Sequence, residues 1–99
     1  MDIFEKLYDE HEQAKVRFIG FVTDHTRYDF GIVYTDMFFG KPLVVCMQTG
    51  RSTLLDPRDI EDIEFLQSIF RIKDKKQAAD LAEFFIETLP SIPFHTQYE

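Results

Sequence analysis

Two strand-like runs, Tyr28–Thr35 and Leu43–Gln48, joined by the connection Met37-Phe38-Phe39-Gly40-Lys41-Pro42, constrain this chain more than any other feature. In the first run the period is two. Tyr28, Phe30, Ile32 and Tyr34 share one side, and Arg27, Asp29, Gly31, Val33 and Thr35 share the other. The spacing predicts a strand with one aromatic, apolar face. In the second run Leu43, Val45 and Met47 alternate with Pro42, Val44 and Cys46, and neither side turns polar before Gln48. That pattern predicts a strand buried on both faces. The link between the runs is apolar, where a strand connection is ordinarily polar.

From Lys15 to Thr23 a third run, β-branched and aromatic, sets Val16, Phe18, Gly20 and Val22 against Arg17, Ile19, Phe21 and Thr23, again apolar on both sides. Thr49-Gly50-Arg51 turns the chain into a short strand at Ser52–Leu55. Short links between consecutive strands favour an antiparallel meander. Asp2 and Glu5 stand at capping-box spacing ahead of Ile3, Phe4, Leu7, Tyr8 and His11, which predicts an N-terminal amphipathic helix. After Asp56-Pro57 stops the fourth strand, Asp59 is the expected N-cap of a short helix through Ser68, with Ile60, Ile63, Leu66 and Ile69 inward. Phe70-Arg71-Ile72 can end that helix or form a brief fifth strand, and the strand is favoured because Asp74 opens a new helix two residues later. Asp74 and Gln77, at capping-box spacing, open a final helix with the stripe Ala78, Leu81, Ala82, Phe85, Ile86 and Leu89, ended by Pro90.

The fold class expected is therefore α+β: a single domain over residues 1–90, with an antiparallel meander of four or five strands. N-terminal and C-terminal helices and a short helix before the last strand complete it, and residues 91–99 form a loosely ordered tail. Ninety-nine residues bury roughly 60–70% of the surface of the unfolded chain, enough for a core without staples. Eleven phenylalanines and no tryptophan supply its bulk.

A formal charge of −7, from 18 acidic and 11 basic side chains, repels phosphate backbones and anionic lipid, which disfavours nucleic acid and membranes as partners. The cluster Asp56, Asp59, Glu61, Asp62 and Glu64 reads as a solvated helix start. One cysteine cannot form an internal disulfide, and neither a signal-peptide pattern nor an apolar span of about 20 residues is present. The expected location is the cytoplasm.

Chemistry-bearing patterns are few. His11, His25 and His95 lack metal-ligand spacing, Cys46 sits between Val45 and Met47 as a small core residue, and no nucleophile elbow or nucleotide-binding glycine loop occurs. No catalytic residue, cofactor or metal is expected. One constellation survives. In a meander the links after the first and third strands emerge at the same end, so His25, Arg27 and Arg51 converge near a glycine turn as a weak anion-attracting spot. Against it stands the reading in which the arginines pair with Asp24, Asp29 or the acidic cluster.

The run Arg27-Tyr28-Asp29-Phe30-Gly31-Ile32-Val33-Tyr34-Thr35, followed by Met37-Phe38-Phe39-Gly40-Lys41-Pro42-Leu43-Val44-Val45-Cys46-Met47-Gln48-Thr49-Gly50, resembles a small family of uncharacterised Gram-positive bacterial proteins of the bacillus and staphylococcus kind. The similarity extends through Leu55-Asp56-Pro57 to the final helix. It implies a stand-alone cytosolic protein, and assigns no activity and no site residue.

Two functions from different classes follow as expectations: a non-enzymatic interaction or regulatory module, or a binder or enzyme of a small anionic metabolite at the His25, Arg27 and Arg51 end. Three strands with two apolar faces exceed what the helices can cover, and Met37, Phe38 and Phe39 add an apolar link of a few hundred Å². Self-association is expected from that excess, as a homodimer through the sheet and the link, with a further protein partner also open.

Overall fold

Strands β1 (Lys15–Thr23) and β2 (Thr26–Tyr34) form a hairpin in register from Thr23↔Thr26 to Lys15↔Tyr34. The computed structural model describes residues 3–89. Between the two strands Asp24 and His25 both adopt positive φ, 50° and 64°, the left-handed pair whose twist matches the flanking strands. β3 (Leu43–Cys46) pairs antiparallel with β2 from Phe30↔Cys46 to Val33↔Leu43, and β4 (Ser52–Leu54) pairs with β3. The spatial order β1-β2-β3-β4 is the sequence order, a four-stranded meander.

Helices α1 (Pro57–Glu61), α2 (Ile63–Phe70) and α3 (Lys75–Thr88) cover one face. Against them the sheet presents Tyr28, Phe30, Ile32, Tyr34, Val44 and Cys46, all buried, as the period-two pattern of β2 predicts. Phe30 lies at the centre, with the rings of Phe70 and Phe85 edge-on at 5.4 and 5.2 Å. Leu66, Ala78, Leu81 and Phe85 complete the core from the helical side.

Polar contacts fix the start of α3 to the hairpin. Thr23 Oγ1 donates to Asp80 Oδ2 at 2.5 Å, and Lys76 Nζ bridges Asp80 and Asp24. Tyr28 donates to Gln77 Oε1 at 2.7 Å, while Gln77 Nε2 donates to Thr26 Oγ1 at 3.1 Å. Asp74 caps α3 through the Lys76 N–H, so the expected cap is present, but Gln77 is not its capping-box partner because its amide serves the hairpin.

Other expectations need correction. Residues 3–14 contain no helix: Ile3, Phe4, Leu7 and Tyr8 are exposed, and a lone amphipathic helix of this length is unstable without a surface to pack on. Glu12 instead accepts from Thr35 Oγ1 at 2.6 Å and from the Asp36 N–H at 2.7 Å. No fifth strand forms at Phe70-Arg71-Ile72. Phe70 ends α2, Arg71 turns left-handed at φ 59°, and the Ile72 N–H bonds to the Gln67 carbonyl.

The single helix expected from Asp59 is two helices. Asp56 caps α1 with Pro57 at its first position and Asp59 as the reciprocal capping-box residue, and Asp62 caps α2. Two members of the acidic cluster are thus N-caps and a third, Asp59, completes a capping box. Asp2, Pro90 and the tail at 91–99 lie outside the described residues.

The expectation of strands buried on both faces also fails, because all three helices lie on one side. On the other face Val16, Phe18, Val22 and Met47 are about half exposed or more, and Val33, Leu43, Val45 and Leu54 are partly covered. The register sets these side chains in contiguous rows, Val16 beside Val33, Val33 beside Leu43 and Leu43 beside Leu54. Phe18 lies over Gly31, where an added Cβ would meet its ring at 3.4 Å.

Candidate functional site

The link between β2 and β3 departs from ordinary backbone. Phe38, Phe39 and Gly40 take φ of 54°, 64° and 72°, three consecutive left-handed residues of which two are aromatic. An L-residue in that region costs roughly 1–2 kcal/mol. The conformation is held from both sides. The Gly40 N–H donates to the Met37 carbonyl at 3.0 Å and Met37 N–H to Thr35 Oγ1 at 3.0 Å, while Lys41 Nζ reaches Asp56 Oδ2 at 3.3 Å. The result is a tip on which Phe39 is 99% exposed and Phe38 49%, with Met37 partly covered.

Beside the tip lies a groove of about 600 Å³, lined by Phe39, Gly40, Lys41, Pro42, Leu55, Asp56, Pro57, Ile60, Glu61, Ile86 and Leu89. It is mostly apolar and within the size of ligand pockets, about 300–1,000 Å³. Its walls are the tip, the start of α1 and the last turn of α3. Ile86, expected in the buried stripe of α3, instead stands 51% exposed at this wall. At the polar edge Asp56 is held below the ordinary aspartate range. The Asp59 backbone N–H contributes most, then the Lys41 ammonium and the Arg58 backbone N–H.

Of the three residues expected to form an anion spot, both arginines are engaged by other partners. Arg27 Nε pairs with Asp29 Oδ2 at 2.9 Å, and Gln48 Nε2 donates to the same oxygen at 2.7 Å. These two contacts, Arg27 first, lower the Asp29 pKa. Arg51 turns to the helical side, where its Nε donates to the Ile69 carbonyl at 3.1 Å. His25 lies in the β1–β2 turn, beyond the point where β3 pairs with β2. Among the described residues no hydrogen bond or ion pair joins His25, Arg27 and Arg51.

Cys46 is buried, and burial raises the pKa of Tyr28, with the nearby Cys46 and Asp74 adding to it. Among the described residues no group of three or more His, Cys, Asp or Glu could hold a metal ion, and no helix is long and apolar enough to cross a membrane.

Sequence reasoning singled out Met37, Phe38 and Phe39 and expected more apolar strand surface than the helices could cover, but missed the groove beside the tip. The groove had no signal in the pattern, since its walls come from three segments far apart in sequence. The open rows follow from the parity of Val16, Phe18 and Val22, which includes no polar residue, and from helical segments too few to cover both faces.

Fold and site together define a small α+β domain with an apolar tip, an adjoining apolar groove and an uncovered sheet face. The chain belongs to the SAV0927-like family, whose model matches residues 7–87. No curated protein matches the sequence.

Proposed function

We propose that the protein is a cytosolic, non-enzymatic interaction module that works as a homodimer, the Phe39 tip of each copy seated in the groove of the other. The observation that carries this reading is Phe39 itself. An aromatic ring 99% exposed, on backbone that disfavours any side chain, stands beside an apolar groove in the same molecule. A plug and a socket on one chain close into a two-fold pair, the simplest isologous assembly. Large aromatic anchors in pockets are what fix such interfaces. Phe38 and Met37 then form the margin of the contact.

Light scattering on wild type and on Phe38→Ser/Phe39→Ser tests the reading. Wild type should run at twice the chain mass at tens of micromolar, and the double variant as a folded monomer by circular dichroism. A monomeric wild type, or a double variant of unchanged mass, overturns it.

A further inference from the structure

The sheet has two edges, and they are built differently. β4 is three residues long and runs into the Asp56 cap and Pro57, the kind of short, blunted edge that resists further pairing. β1 runs nine residues in unbroken register with β2, and it contains no proline, no bulge and no carboxylate. Among the described residues no strand pairs with its outer side, and the N-terminal arm, residues 3–14, contains none. A long edge without those protections is a template for another strand. We infer that β1 pairs antiparallel with β1 of a second copy about a two-fold axis at Ile19, making one continuous sheet across two chains. The contact goes beyond the tip-and-groove reading and uses none of its residues.

The hydrogen-bond pattern fixes which groups are available. The Asp29 carbonyl accepts from the Met47 N–H, so Asp29 and the residues in phase with it turn their peptide groups toward β3, while Tyr28, Phe30 and Ile32 turn theirs toward β1. Through the register, Phe21, Ile19 and Arg17 are the β1 residues that bond inward. Val16, Phe18, Gly20 and Val22 therefore direct their N–H and C=O groups outward, an alternating row of donors and acceptors that only a strand can match in full.

A second copy is selected by what this register brings together. About an axis at Ile19, each Val16 stands opposite the partner's Val22 and each Phe18 opposite the partner's Gly20, so every outward peptide group meets another. Moving the axis to Phe18 or to Gly20 sets Val22 or Val16 past the end of the partner's strand. Phe18, 75% exposed, already lies over Gly31 of β2. On its other side Gly20 offers no side chain to oppose it, because Asp29 leans to within 2.6 Å of where a Cβ would stand. Val16 and Val22, 48% and 65% exposed, meet apolar to apolar. No like charges face each other, since Lys15 stands opposite the partner's Thr23 and Arg17 opposite the partner's Phe21. Each chain carries −7, and that repulsion makes the edge the weaker contact, formed above the tens of micromolar at which the tip fills the groove.

Disulfide trapping reads the register even of a weak contact. Ile19 faces its own copy in a pair without hydrogen bonds, where Cα atoms are about 4.5 Å apart and a disulfide fits. Val16 lies roughly 20 Å from its own copy, although it is the more exposed of the two. Full-length Ile19→Cys, oxidised at several hundred micromolar, should therefore give at least tenfold more covalent dimer than Val16→Cys. Cys46, 1% exposed, stays out of the reaction. Lys15→Cys and Thr23→Cys, prepared at distinguishable masses and mixed, repeat the test away from the core and should give the mixed dimer in excess over either homodimer. Raising salt from about 50 to about 500 mM should increase both yields as repulsion is screened. Equal yields at Ile19 and Val16, or no bond in either experiment, overturn the edge pairing and leave the tip-and-groove dimer standing. A wild type that is monomeric at tens of micromolar while Ile19→Cys still links selectively overturns the tip-and-groove reading alone and supports the edge.

Discussion

Replacing Phe39 with glycine separates what the tip costs the fold from what it does. With φ at 64°, Phe39 carries a left-handed penalty of roughly 1–2 kcal/mol that glycine does not, while the freedom glycine adds to the unfolded chain returns about 0.5–1 kcal/mol. The ring is 99% exposed, so its removal forfeits almost no packing within the chain. The isolated monomer should therefore gain up to about 1.5 kcal/mol in Phe39→Gly. The dimer should be lost. Urea unfolding over a concentration series reads both effects. Wild-type stability should rise by about 1.4 kcal/mol per dimer for each tenfold rise in concentration, and the variant's should not move. At the lowest concentration the variant should be the more stable protein. A variant that is less stable there by more than about 1 kcal/mol would show Phe39 supporting its own fold, and the reasoning would fail.

Three further outcomes follow from the same structure. Phe85→Ala empties a fully buried site against Phe30 and should cost about 3–5 kcal/mol, lowering the calorimetric Tm by about 15 °C or more; a shift of a few degrees would mean the core is not packed around that ring. Gln77→Leu leaves Tyr28 and Thr26 without their shared amide and should cost about 1–3 kcal/mol in urea unfolding, where a neutral result would refute the hairpin clamp. Glu12, Asp29, Asp56 and Asp80 all have folded pKa values below their ordinary ones, so each stabilises above its unfolded value of about 4 and ceases to as pH falls through the folded value. Urea midpoints should drop between about pH 4 and pH 2, less steeply in Asp56→Asn, and equal slopes would exclude a role for that carboxylate.

Local pattern made the sheet legible and left its surroundings obscure. The alternation through Tyr28, Phe30, Ile32 and Tyr34 identified the buried face of β2, and Asp74 with the stripe from Ala78 to Leu89 identified α3, because each signal lies within one element. The arm failed for the opposite reason. Ile3, Phe4, Leu7 and Tyr8 have helical spacing, but spacing creates a helix only where a neighbour covers it, and among the described residues the chain holds Glu12 against Thr35 instead. The parity of Val16, Phe18 and Val22 announced an apolar face without saying whether its cover came from the same chain. Arg51 reaching Ile69 across the layers is a distance no one-dimensional pattern contains. The left-handed backbone at Phe38 and Phe39 likewise has no signature, since phenylalanine is among the last residues expected there.

The meander has a consequence for how quickly the chain finds its fold. Every strand pairs with its neighbour in sequence, and the first pair closes through a two-residue turn, so little chain entropy is lost before hydrogen bonds begin to form. Such a topology assembles by zippering outward from Asp24-His25. The slow event is then the arrival of α3, which must cross the length of the chain to reach Thr23, Thr26 and Tyr28. Until it docks, the nascent sheet exposes apolar rows on both sides at once. The interval before that docking is when neighbouring molecules compete for the same surface, and the Thr23–Asp80 and Tyr28–Gln77 contacts that end it act as much on the timing of folding as on its final stability.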